Sequence, residues 1–424
     1  MSELETYFEF LADFLSQPTP HRSTHRAWQH WARNRHAFKS VPYLSFGEWS
    51  VLTERNRTLY DIGRTTTHVN MPLLETPMSL RVSKLVDRRI NNNADKQKPS
   101  TRSGVMVTGW GAQGKTETVC DVAAIFEENR RALSKFLKRP LPGSRDLTIP
   151  VAYVQTPITA KPKSTCEAIL DFYEAESKGM TLPGLVRQVA ASLTENGTKA
   201  LILDDITRLR MHRADDQDTL DLIRAFMSMN VTLVLLGVDI PGSGLLREGR
   251  WDAEDRQWVL PPSQAARVHG LEATQTERRF DLIELDRFRY DTPAQINDFV
   301  DHLRERETQT RLLKGRPGML TEGSMPEYVY RRTAGVVGLV ERLIEDGCQE
   351  AMDSEVETLN EAVLDQITLS MHDPGRDPTA GEVPQVPTWT TKSIPPASKP
   401  AAARRRGRNT VFDDHGENKT QASA

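Results

Sequence analysis

The sequence predicts an α/β protein with a five-stranded parallel sheet followed by a small all-helical domain, and three observations lead there. Five short apolar, β-branched runs (GVMVTG, IPVAYVQ, KALILDD, VTLVLLG and FDLIEL) alternate with helix-sized segments between Gly104 and Phe288. Runs that are apolar throughout belong to strands covered on both faces, as parallel strands are. A glycine-rich turn joins the first run to a helical pattern. Beyond Thr292 strand patterns stop and helical ones follow, as in QINDFVDHLRER and VVGLVERLIEDGCQEAM.

The chain divides by pattern into an N-terminal helical extension (1–70), the sheet-bearing core (71–290), the helical domain (291–371) and a tail (372–424). The extension alternates short helical patterns with loops, aromatic-rich from Trp28 to Trp49. An amphipathic helical stretch from Met78 to Ile90 enters the core, after which NNNADKQKPS reads as a solvated loop. The polar stretch Arg247 to Arg279 is long for a crossover and predicts an insertion of loops before the last strand. Pro-rich sequence with Arg404, Arg405, Arg406 and Arg408 predicts a disordered basic tail.

With 27% charged residues and a net charge of -3, bulk charge does not draw the chain to nucleic acid, so any such contact is local. Cys120, Cys166 and Cys348 are too scattered for a disulfide framework or a metal knuckle and read as buried small hydrophobes in a reducing compartment. His21 and His25 lie four apart but lack a third ligand, which favours a solvated helix face over a metal site. The acidic N-terminus and the absence of a run of about 18 apolar residues predict a cytoplasmic protein with no membrane partner.

The turn after the first run reads GxxxxGKT, from Gly109 to Thr116, between an apolar strand and a helix. Gly109, Gly111 and Gly114 let backbone amides wrap phosphates, and the following helix, beginning with Glu117 beyond the motif, aims its N-terminus at them. Lys115 supplies positive charge to the β and γ groups, and Thr116 a hydroxyl for Mg²⁺. The acidic partner that such a loop needs ends KALILDD: Asp204 for the metal, Asp205 for polarising the attacking water. Aspartate reaches less far than glutamate, so slow or partner-stimulated hydrolysis is expected. Asp239 and Ser243, after VTLVLLG, are candidates for sensing the γ-phosphate, and Arg278 and Arg279 for reaching a neighbouring subunit's phosphate.

These residues together resemble the AAA+ ATPases and, more narrowly, the TniB and TnsC group of transposition regulators, from about Pro72 to Leu369. The resemblance rests on the phosphate loop, on ILDDITRLRMHRADDQDTLDLIR, LLGVDIPGSGLL and ERRFDLIEL, and on TAGVVGLVERLIEDG. It implies an AAA+ core with a helical lid, ATP rather than GTP as ligand with Mg²⁺, and a homo-oligomer, ring or helical filament, on duplex DNA. It further implies a target-selection partner and a DDE-type transposase that the oligomer recruits or activates. Carried over by position, Lys115, Thr116, Asp204 and Asp205 take the nucleotide roles, and Arg279, with Arg278 second, falls at the intersubunit arginine. Gly335 and Gly338 precede the lid helix, whose Glu341 and Arg342 stand where a sensing arginine is sought. The long polar segment before ERRF and the basic tail depart from the minimal pattern.

DNA contact in such an assembly would come from channel-facing loops. TAKPKST presents Lys161, Lys163 and Thr165, and Arg208, Arg210 and Arg213 form a second basic cluster, both suited to tracking phosphates without reading sequence. Three rival readings stay open: an NLR-like signalling ATPase, a replication or partition loader on the same core, and a nucleotide kinase. The signalling ATPase lacks a visible repeat array, the loader a winged helix after the lid, and the kinase an arginine-rich lid inside the core.

Overall fold

The computed structural model describes residues 3–98, 100–137, 148–158, 161–208, 217–241, 250–252, 257–259 and 279–369. The expected disordered tail, with Arg210, Arg213, Ser243 and Arg278, lies outside the described residues.

All five expected strands form one parallel sheet: β1 (Gly104–Thr108), β2 (Val151–Gln155), β3 (Ala200–Asp204), β4 (Thr232–Gly237) and, after the insertion, β7 (Phe280–Glu284). Their order is β2-β3-β4-β1-β7. Every residue of β1, β3 and β4 is buried, the physical reason these runs are apolar on both faces. Within the segment expected to hold loops only, the structure adds a short antiparallel pair, β5 (Arg250–Asp252) and β6 (Gln257–Val259).

Helix α5 (Pro77–Ala94) starts at a Thr76–Ser79 capping box, with proline at its first position, and packs on α6 (Lys115–Leu137), β1 and β4. The solvated loop expected from Asn91 begins later than the sequence suggested. Asn93 is helical and buried, its amide donating to Ser103 O at 2.8 Å and Thr232 Oγ1 at 3.1 Å. That pairing draws a polar residue into the core. Helices α7 (Pro162–Phe172), α8 (Leu182–Glu195) and α9 (Gln217–Met227) form a second packed group against β2 and β4. The three cysteines are free and buried, as expected.

The N-terminal helices are α1 (Glu3–Ser16), α2 (His25–Asn34), α3 (Phe46–Ser50) and α4 (Glu54–Val69). They meet two different parts of the chain. Helix α2 buries Trp28 in the sheet's core, and Arg35 beside it pairs with Asp121 at 3.0 Å and with Glu128, both on α6. His25 is buried rather than solvated, with Nδ1 3.6 Å from Glu174. Helices α1 and α4 instead face the C-terminal helices α10 (Pro293–Gln309), α11 (Met325–Thr333), α12 (Val337–Asp353) and α13 (Glu361–Leu364). There Arg64 of α4, 2% exposed, forms an ion pair of 2.6 Å with buried Glu357. No strand occurs after β7 among the described residues. No helix of the described chain is long and apolar enough to cross a membrane.

Candidate nucleotide site

The phosphate loop runs from the end of β1 to the start of α6. Gly109 takes φ +154°, and a Cβ there would stand 2.5 Å from Leu285 O, so only glycine fits between the two strand ends. Ala112 (φ +57°) and Gly114 (φ +79°) turn the chain back, leaving open space around Gly111 and Gly114. Lys115 folds over this turn, its Nζ donating to Gly109 O at 2.8 Å and Trp110 O at 2.6 Å. Burial pulls its ammonium below the usual lysine range, with Asp204 and Asp205 opposing. A cation hydrogen-bonded, among the described residues, to two loop carbonyls is placed to exchange them for phosphate oxygens.

Asp204 ends β3 with 6% of its surface exposed. Its Oδ2 accepts from Thr116 Oγ1 at 2.8 Å and from Tyr153 OH at 2.8 Å, while Oδ1 accepts the Asp205 N–H at 2.8 Å. Hydroxyl and carboxylate oxygens side by side are hard donors that suit Mg²⁺, which keeps waters and substrate phosphates in its remaining positions. The open glycine turn, the Lys115 ammonium resting on it and this oxygen pair fit a magnesium nucleoside triphosphate. Asp205 adopts φ +53°, and its carboxylate is half-exposed. It pairs with Arg208 at 2.8 Å and accepts from Gln155 Nε2 at 3.4 Å.

Arg208 also donates to Thr156 O at 3.0 Å, which commits its guanidinium to the strand ends. In the other basic segment the structure divides the three residues. Lys161 caps α7 and is exposed, and Lys163 is exposed 3.8 Å from Glu167. Thr165 is corrected as a DNA contact: it is fully buried, its hydroxyl donating to Lys161 O at 3.0 Å, because a helix begins at Pro162 where a loop was expected. Glu117 is held by Arg22 of the N-terminal segment.

The segment after β4 is tied to the loop by the Ile240 N–H, which donates to Thr108 Oγ1 at 3.0 Å, with Asp239 beside it at φ +46°. Arg279 stands where β7 begins, its carbonyl accepting the Gly104 N–H at 2.9 Å. The phosphate loop leaves the opposite end of β1, about 13 Å along the strand, so the Arg279 backbone stands at the far end of that strand from its own chain's site. At the C-terminal helices, the Phe288 N–H donates to Gly335 O at 2.8 Å and the Gly338 N–H to Ala112 O at 2.8 Å, seating α12 on the phosphate loop. Arg342 lies one turn beyond Gly338, exposed and bonded to Asp346 at 3.2 Å rather than to the loop. Glu341 turns inward to His302 at 3.0 Å and Arg306 at 2.5 Å.

Sequence reasoning did not find Tyr153, Gln155 or Arg22. Tyr153 and Gln155 alternate along β2, so period two would have grouped them on one face. Nothing local relates Arg22 to Glu117, 95 residues away.

Residues 82–241 match the family model described as bacterial TniB protein. Among solved structures, the chain is similar to the Aeropyrum pernix ORC1 protein in complex with DNA, at 14% identity and TM-score 0.48, covering 72% of this chain and 68% of that one. It is also similar to the Thermotoga maritima RuvB Holliday junction branch migration motor, at 13% identity and TM-score 0.35, covering 68% and 67%. A third is AMPPCP-bound DnaA from Aquifex aeolicus, at 11% identity and TM-score 0.35, covering 64% and 62%. No curated protein matches.

Proposed function

We propose, for a chain whose residues 82–241 match the family model described as bacterial TniB protein, that the protein is an ATP-dependent, DNA-binding regulator of transposition. Its core is an AAA+ P-loop fold, the loop-bearing strand β1 lying between β4 and β7. With ATP bound it assembles as a homo-oligomer on duplex target DNA, works with a target-selection protein there, and recruits or activates a DDE-type transposase. The observation that carries this reading is the 2.8 Å hydrogen bond from Thr116 Oγ1 to Asp204 Oδ2, directly below the turn that Lys115 spans. It joins the two halves of a magnesium nucleotide site that lie 88 residues apart in sequence.

In this reading Lys115 leaves the loop carbonyls for the β and γ phosphates, while Thr116 and Asp204 hold Mg²⁺, which supplies charge neutralisation to the triphosphate. Asp205 polarises the attacking water. Arg208 occupies its carboxylate at 2.8 Å and the aspartate side chain is shorter than glutamate's, so turnover by the free protein is slow and ATP works as a switch. Arg279 serves the phosphate of a neighbouring copy, with Arg278 as second choice, completing the site only on assembly. Lys161 and Lys163 supply phosphate contacts to the duplex.

The test is electron microscopy of the protein with duplex DNA and a non-hydrolysable ATP analogue, beside a gel shift with and without nucleotide. Ordered rings or filaments that need both DNA and nucleotide support the reading. Persistent monomers, or a shift indifferent to nucleotide, overturn it.

A further inference from the structure

The metal carboxylate has a neighbour that the nucleotide motifs do not require. Tyr153 pairs in register with Ile202, two residues before Asp204, and side chains two apart share a face of the sheet. Its phenol spans that step, about 7 Å along the strand, and donates to Asp204 Oδ2 at 2.8 Å. Together with Thr116 Oγ1 and the Asp205 N–H, three hydrogen bonds from neutral donors hold Asp204, fixing its rotamer while leaving its charge for a cation.

What holds Tyr153 comes from the N-terminal extension. Trp28 of α2, fully buried, stacks on the Tyr153 ring with centroids 6.0 Å apart and planes 18° from parallel. Trp28 is pinned in turn, its Nε1 donating to Glu127 Oε2 of α6 at 2.9 Å. Arg22 lies over the same phenol at 5.6 Å and over Trp31 at 4.6 Å, and its guanidinium pairs with Glu117, next to Thr116. A continuous set of packed rings therefore runs from the extension to the carboxylate that ends β3.

We propose that Tyr153 is a positioning residue for Asp204, and that the N-terminal extension sets the magnesium affinity of the nucleotide site through Trp28. The proposal rests on the reading of Asp204 as the metal carboxylate. Groups that orient a ligand without touching the metal commonly change metal affinity by about tenfold or more when removed.

The experiment titrates MgCl₂ against a fluorescent ATP analogue bound to the full chain. Tyr153→Phe keeps the ring and its stack on Trp28 and removes only the hydroxyl. It is expected to raise the half-saturating magnesium concentration about tenfold, with nucleotide affinity in EDTA unchanged. Trp28→Phe is expected to raise it by a smaller factor, and to have no further effect in the Tyr153→Phe background, because it acts through the hydroxyl. A half-saturation within about twofold of the unaltered chain, or a lower one, overturns the proposal, as does a Trp28→Phe effect that simply adds to that of Tyr153→Phe. If Tyr153→Phe melts below the assay temperature, Trp28→Phe alone decides by the same threshold. Failure of the underlying reading looks different: Lys115→Ala would then bind nucleotide normally, or Asp204→Asn would leave the magnesium dependence unmoved.

Discussion

Gly338 lies directly against Ala112: its N–H donates to the Ala112 carbonyl at 2.8 Å, and a Cβ on Gly338 would stand 2.6 Å from that oxygen. The first turn of α12 thus rests on the phosphate loop, and side-chain bulk at this one position separates them. Gly338→Val is expected to weaken nucleotide binding at least tenfold and to destabilise the fold by about 1–3 kcal/mol. Fluorescent nucleotide titration beside a thermal melt checks both, and full affinity in the variant would refute the contact's role.

Arg64 and Glu357 form a buried ion pair that also takes in Asp61, 2.7 Å from the Arg64 guanidinium. Removing one partner strands a charge out of water, so Glu357→Gln is expected to destabilise the protein by about 3–5 kcal/mol in denaturant unfolding. Arg64→Met with Glu357→Leu should recover much of the loss, and a double variant no better than the single one would contradict this account.

His68 is buried, its Nε2 accepting the Arg311 N–H at 2.9 Å. Burial, then Arg64 and Arg311, push its pKa down from 6.5 to about 3. The folded imidazole stays neutral where the unfolded one takes up a proton. The stability it protects is therefore complete above 6.5 and declines as the pH falls toward 3. His68→Gln, which keeps the acceptor, should lose less melting temperature between about pH 7.5 and pH 5 than the unaltered chain. Parallel curves for the two proteins would exclude the effect.

Arg208 occupies the Asp205 carboxylate at 2.8 Å. Arg208→Ala frees that oxygen to accept a proton from water, and a severalfold rise in ATP turnover without DNA is expected in a steady-state phosphate-release assay. A fall in turnover would assign Arg208 to phosphate stabilisation instead.

The phosphate loop and the end of β3 were legible because each depends on local backbone demands: Gly109 fits where no side chain can, and an acidic pair must close an apolar strand. The five strands were legible for the same reason, since burial on both faces leaves a continuous apolar run. What lay hidden were choices among side chains far apart in the chain. Thr165 looked like part of a basic loop because it follows Lys161 and Lys163 just beyond a strand, whereas Pro162 stands at the first position of a helix that draws Thr165 inward. Trp28, 99 residues from Glu127, and Tyr153, 51 from Asp204, satisfy one another only once the sheet has assembled. No periodicity records such a match. Asn93 shows the same principle on a small scale, a loop-like residue recruited by Thr232 across 139 residues.

The backbone passes repeatedly between the sheet and the group that holds the C-terminal helices, and two of these crossings come after α4. One is the stretch between α4 and α5, where Pro72 O accepts from Arg306 Nη1 at 2.7 Å. The other follows β7, where Leu285 O backs Gly109 and Phe288 bonds Gly335. Beside the second of them the Gly338 N–H holds the start of α12 to Ala112 O. That crossing sits immediately behind the phosphate turn, where Leu285 O leaves no room for a side chain at Gly109. With 17 residues, α12 is about 25 Å long, so a tilt of about 5° at its contact with Ala112 would carry its far end by about 2 Å.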